Sequence, residues 1–131
     1  MNTPDFLFGL VPSDICYDEE TFPNIFTVGF VHEVTKQKWL FEISDRRNDI
    51  QMICLFIESA ARNKCRLIGY NSLGFDYPVL HFIYKNRRAC ITVKDIYDKA
   101  MSIINAPHNA RFSHLVWESD WLVEQIDLYK I

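Results

Sequence analysis

The chain carries no excess of positive charge. Its formal net charge is −3, which argues against a protein held to nucleic acid by bulk electrostatics, since such modules present a basic patch or stripe. A protein that meets phosphate through bound cations escapes that rule, because the ions supply the positive charge. Cysteine is present only as Cys16, Cys54, Cys65 and Cys90, with no C-x-x-C pair. That spacing excludes a zinc ribbon or a disulfide framework and suits reduced thiols in a cytosol. His32, His81, His108 and His114 are too scattered for a metal-ligand spacing. No apolar run approaches the roughly 18 to 20 residues of a membrane span, and the polar start Met1-Asn2-Thr3-Pro4-Asp5 is not a signal peptide. The expectation is a soluble, cytoplasmic protein without a membrane partner. There is no internal repeat, low-complexity tract or second-domain boundary.

What is present is a substantial apolar inventory. At 131 residues and 49% hydrophobic, the chain is the size of one globular domain with a sizeable core. Ten Phe, six Tyr and three Trp exceed what that core needs, leaving some aromatics for stacking.

Residues 5–13 hold an apolar run broken by Gly9 and closed by Pro12-Ser13, either a short leading strand or an arm on the sheet. Strands are expected at 14–20, 25–34 and 39–43, with Phe22-Pro23-Asn24 as a turn and Thr35 to Lys38 as a hairpin loop, giving an antiparallel meander. Ile50, Ile53, Cys54, Ile57, Ala60 and Ala61 recur at helical spacing and predict a helix over 49–63. A short buried strand follows at 67–69 and a second helix at 76–86. Thr92 and Asp95 nearly form a capping box, and Val93, Ile96, Tyr97, Ala100, Met101 and Ile104 make a core stripe for a third helix. Residues 105–122 are irregular, and 123–129 read as the last strand.

Two stretches carry chemistry. In Asp18-Glu19-Glu20-Thr21, side chains two apart share a strand face, so Asp18 and Glu20 project together while Glu19 points away. Adjacent like charges repel, and a bound divalent cation is the usual physical relief. A solvated strand end is the plainer reading. The second stretch, residues 69–80, runs from Gly69-Tyr70-Asn71 through Phe75-Asp76 to Pro78 and Leu80. Pro78 falls in the first turn of a helix, where its missing N–H costs nothing, and Asp76 at the helix start could be an ordinary N-cap.

Together D-x-E-T and G-Y-N-x-x-x-F-D-x-P-x-L resemble the first and second motifs of the 3′-5′ exonuclease superfamily with four catalytic acids, most closely the proofreading domains of phage and other family B DNA polymerases. The resemblance spans roughly residues 14–130. It implies an α/β fold, an RNase H-like mixed five-stranded sheet with flanking helices, and DNA replication as the setting, in a host cytoplasm if the chain is phage-encoded. Asp18, Glu20 and Asp76 match the acids that bind two catalytic Mg²⁺ or Mn²⁺ ions. Thr21, Asn71 and Phe75 match positions that shape the site and meet the substrate, the 3′ end of single-stranded DNA. The third motif, a Tyr-x-x-x-Asp or a His followed by Asp on a later helix, is missing, so relative to the family the chain is C-terminally truncated.

The expectation is therefore an exonuclease-like domain, incomplete or weakly active alone. It would be completed by the remainder of a polymerase or exonuclease, by another protein or by a second copy. The alternative is a catalytically inactive exonuclease-like binding protein, an inhibitor or an interaction module. Asp127, His81, Lys85-Asn86-Arg87-Arg88 and Arg46-Arg47 are secondary candidates. Each has a plainer role: a strand-end acid, a partly buried histidine, charge favouring a helix dipole, and a solvated loop.

Overall fold

The structure is a computed structural model that describes residues 5–130. Alternating burial builds its first half. In β1 (Asp14–Phe22), Ile15, Tyr17 and Glu19 are buried while Asp18 and Glu20 are exposed. β2 (Ile25–His32) buries Phe26, Val28, Phe30 and His32, and β3 (Lys38–Ser44) buries Phe41 and Ile43. The antiparallel register places Tyr17 opposite Phe30, Glu19 opposite Val28 and Val28 opposite Phe41, so these side chains share one face. The opposite face carries Asp18, Glu20, Thr27, Gly29 and Leu40, the last of them 65% exposed.

After the meander the chain crosses over twice. α1 (Ile50–Arg62) buries Ile53, Cys54, Phe56, Ile57 and Ala60 at helical spacing, then leads to β4 (Arg66–Gly69). β4 pairs parallel to β1 through Asp14, Ile15 and Cys16 only, which leaves the far half of β1 without a neighbour on that edge. α2 (Asp76–Lys85) and α3 (Val93–Ile104) precede β5 (Glu124–Asp127), which pairs parallel to β4. The strand order is β3-β2-β1-β4-β5, a mixed five-stranded sheet with β1 central. This α/β architecture is the one anticipated, consistent with an RNase H-like fold.

One hydrophobic cluster joins the covered sheet face to residues of all three helices. Phe56 of α1 lies at its centre, with ring centroids 4.2 Å from Phe30, 5.1 Å from Trp39 and 5.9 Å from Phe41. Thr92 and Asp95 close the capping box of α3 in full. The leading segment is an arm rather than a strand. Leu7 is fully buried and its N–H donates to Ser59 Oγ at 3.1 Å, while Asp5 accepts from the Ser59 hydroxyl and from Asn63.

Several element ends differ from expectation. β2 stops at His32 because the chain turns there, with Lys36 N–H on the His32 carbonyl at 2.8 Å and Lys36 at φ 62°. β5 ends at Asp127, where the carboxylate accepts the Tyr129 N–H at 2.9 Å and bends Leu128–Lys130 into a 3₁₀ turn. Residues 105–122 contain 3₁₀ segments at His108–His114 and Glu118–Asp120. No helix among the described residues is long and apolar enough to cross a membrane.

Candidate functional site

β4 ends at Gly69 while β1 runs on, and the opening this leaves at the sheet edge receives the start of α2. Asn71 makes the turn possible, holding φ 54°, a left-handed conformation that asparagine tolerates better than most residues. Its carbonyl accepts N–H bonds from Gly74 and Phe75, both at 3.2 Å. Gly69 is required by close approach, since a Cβ there would stand 2.6 Å from Ser72 Cβ and 3.3 Å from Tyr17 Cε1. Phe75 occupies the N-cap position and packs half-buried on the core, so Asp76 is the first helical residue and not the cap. Pro78 is buried in that first turn.

Asp76 is half-buried, and its carboxyl is pushed up to about 7. Burial is the main cause and the nearby charge of Asp18 the next, with backbone N–H groups of Asp76 and Glu19 acting in the opposite direction and Asp127 adding to the rise. Two acids far apart in sequence therefore feel each other at the mouth of the sheet. Glu20 shares the exposed face with Asp18, as strand periodicity requires. The buried neighbour of this pair is Glu19, whose carboxyl is held well above the usual carboxylate range by burial first, then by Asp76 and Asp18. The charge of Asp18 thus disfavours ionisation of Asp76, and both disfavour that of Glu19, the condition a cation relieves.

Among the described residues no three His, Cys, Asp or Glu side chains stand close enough together to hold one metal ion. The donors do fit a hard cation in chemistry. Mg²⁺ is commonly held by one or two carboxylates, with water and substrate phosphate completing the shell, and Asp18 with Asp76 supplies that number of oxygen-donor groups.

Thr21 is half-buried with its hydroxyl lacking a hydrogen-bond partner, whereas Asn71 is exposed on the loop. Asp127 serves the scaffold. It is 4% exposed and accepts from the Leu73 N–H at 3.0 Å as well as from Tyr129, tying the loop before α2 to β5. His81 Nδ1 lies 3.2 Å from the Tyr77 hydroxyl, which also accepts the Leu122 N–H at 2.8 Å. Burial lowers the His81 pKa, and Lys85 adds to the effect.

The basic runs lie elsewhere. Arg46 pairs with Glu42 at 2.8 Å and Arg47 with Asp49 at 2.6 Å. Arg87 lies 4.2 Å over the Tyr84 ring and, with Arg88, lines a cleft of about 940 Å³ at the far end of α2 from Asp76. All four cysteines are free, and burial pushes the Cys16 and Cys54 thiols up to about 11.

The residue that motif reading passed over is Glu19. Its signal was available, because it has the same strand parity as the apolar Ile15 and Tyr17 and so belongs to the covered face. Tyr77 left no comparable trace, since its hydroxyl takes the N–H of Leu122, a segment distant in sequence.

No protein-family model matches the chain, and no curated protein or solved structure matches it either.

Proposed function

We propose that the chain is a 3′-5′ exonuclease-like domain in which Asp18, Glu20 and Asp76 hold divalent cations against a nucleic-acid 3′ end. The observation that carries this reading is the meeting of Asp18 with Asp76 at the open end of a β3-β2-β1-β4-β5 sheet. In that role the carboxylates bind and orient Mg²⁺ or Mn²⁺, and the ions supply Lewis acidity to a phosphodiester and its attacking water. Thr21, Asn71 and Phe75 would shape the place where the terminal nucleotide lies. Single-stranded DNA is the preferred substrate of this reading.

Two-metal hydrolysis also calls for a fourth acid and a group that orients the water. Among the described residues Asp127 is committed to backbone N–H groups, so cation binding should exceed turnover. A second reading, a binding module without catalysis, is favoured by the uncovered sheet face. There Leu40 is 65% exposed, and Ile68 and Ile126 are half-buried. A remaining polymerase or exonuclease segment, another protein or a second copy would fit that face.

The test is incubation of the chain with 3′-labelled single-stranded DNA and Mn²⁺, beside Asp18→Ala. Slow release of 3′ nucleotides by the parent and none by the variant is the expected result. Equal release by both would place the activity elsewhere, and no release by the parent despite Mn²⁺ binding would favour the binding module.

A further inference from the structure

Tyr70 and Tyr129 meet on the surface although they come from segments distant in sequence, with ring centroids 5.3 Å apart and planes at 72°. Both are more than half exposed, at 69% and 57%. Tyr70 follows the last residue of β4, Tyr129 lies just beyond β5, and the parallel register sets Gly69 beside Asp127. One carboxylate fixes both segments. Asp127 accepts the Leu73 N–H at 3.0 Å on one oxygen and the Tyr129 N–H at 2.9 Å on the other. The rings are thus brought together by a buried acid while their own faces stay open. Lys130 adds a positive charge, its Nζ 5.6 Å from the Tyr129 ring centre.

We propose that Tyr70 and Tyr129 form a stacking platform for the bases of a single-stranded nucleic acid, with Lys130 placed for its phosphates. The choice of nucleic acid rests on the exonuclease reading, whereas the platform rests on the exposed pair. An aromatic face takes any base, so stacking gives affinity without sequence preference. It also suits a chain of net charge −3, which has no excess of positive charge to hold a strand. Position points the same way. In open α/β sheets ligands lie outside the carboxyl ends of the strands, where the strand order reverses. The order β3-β2-β1-β4-β5 reverses at β1, and the tyrosines stand beyond the carboxyl ends of β4 and β5. Tyr70 is also one residue before Asn71, on the loop that leads into Asp76. Platform and acid are therefore carried by the same loop.

The experiment measures binding of the full chain to a fluorescein-labelled oligothymidylate, and to the same backbone with abasic sites, by anisotropy in Ca²⁺, which takes oxygen ligands as Mg²⁺ does. Tyr70→Ala and Tyr129→Ala should each weaken oligothymidylate binding by about tenfold, while Tyr70→Phe and Tyr129→Phe should bind as the parent does. The abasic strand should bind the parent and the alanine variants alike. Parental affinity in both alanine variants, or an equal loss on the abasic strand, overturns the platform and leaves the exonuclease reading to its own test by release of 3′ nucleotides. Tyrosine-dependent binding without release in Mn²⁺ keeps the platform and removes the exonuclease reading. A parent that binds neither strand overturns the platform, and self-association lost in Tyr129→Ala would then assign the rings to a contact between copies. Should an alanine variant lack parental circular dichroism, the parent alone decides: preference for the base-bearing strand supports the platform, and equal affinity overturns it.

Discussion

Asp76→Asn should stabilise the metal-free chain at pH 8 and remove any stabilisation by Mn²⁺. The carboxyl stands at about 7 in the folded protein against 3.8 for the free group. An acid whose folded pKa is raised binds its proton more tightly when folded. Stability is therefore greatest below the unfolded pKa, falls as pH rises through the window from 3.8 to about 7, and stays low above it. At 1.36 kcal/mol per pH unit the ceiling is about 4 kcal/mol. Partial exposure screens the charge and reduces the expected gain to about 1–2 kcal/mol. Urea unfolding of parent and variant at pH 5 and pH 8 measures it. The parent should lose stability between those values and the variant should lose less. Parallel profiles would mean that Asp76 is solvated as an ordinary surface acid. Addition of Mn²⁺ at pH 8 should raise the parent's midpoint by mass action and leave the variant's unchanged.

Phe56→Ala should be the most damaging single truncation on α1. The ring is fully buried, stacks on Phe30 at 26° between planes, and touches Phe6, Trp39 and Phe41. Phenylalanine-to-alanine changes in cores cost about 3–5 kcal/mol, a large share of the roughly 5–15 kcal/mol that holds a domain together. Phe56→Leu should recover much of the loss, because it refills most of the cavity. Urea midpoints at unchanged slope would measure both effects. A loss under about 1 kcal/mol for Phe56→Ala would show that the helix is held to the meander by other contacts.

The two stretches differ in how much of them could be read in advance. The meander followed from features close in sequence, the alternation at Val28 and Phe30 and the turn residues Phe22-Pro23-Asn24 and Thr35 to Lys38. The third helix followed from Thr92 and Asp95, whose capping partners lie three residues apart. Asp18, Glu20 and Asp76 stand out in the sequence only through the motif resemblance, and in the fold the charge of Asp18 helps to raise the Asp76 carboxyl. Hidden from sequence were the features that require two distant segments at once. The shortened β5 depends on Asp127 taking backbone N–H groups from both sides, including Leu73 before α2. The raised carboxyl of Glu19 depends first on its burial beneath the covered face and then on Asp76, more than fifty residues away in sequence. An acid in an alternating strand reads as solvent-facing by composition, and only its parity contradicted that.

The connectivity of the sheet also bears on the order in which the molecule assembles. β1, β2 and β3 are joined by tight turns, so their pairing closes short loops. β4 reaches β1, and β5 reaches β4, only after intervening helices have formed. Non-local parallel pairing is slow because the loop entropy is lost before the contacts form. The hairpins should nucleate, and the β4 and β5 half should dock last and open first. Amide hydrogen exchange would show this as faster exchange at Leu67, Ile68 and Ile126 than at Val28 and Phe30, and uniform protection across both halves would contradict it. Asp76 enters with the late half while Asp18 and Glu19 belong to the early one. The acids are therefore kept apart until the final docking step, and their mutual repulsion is met only when nearly all of the core is already in place.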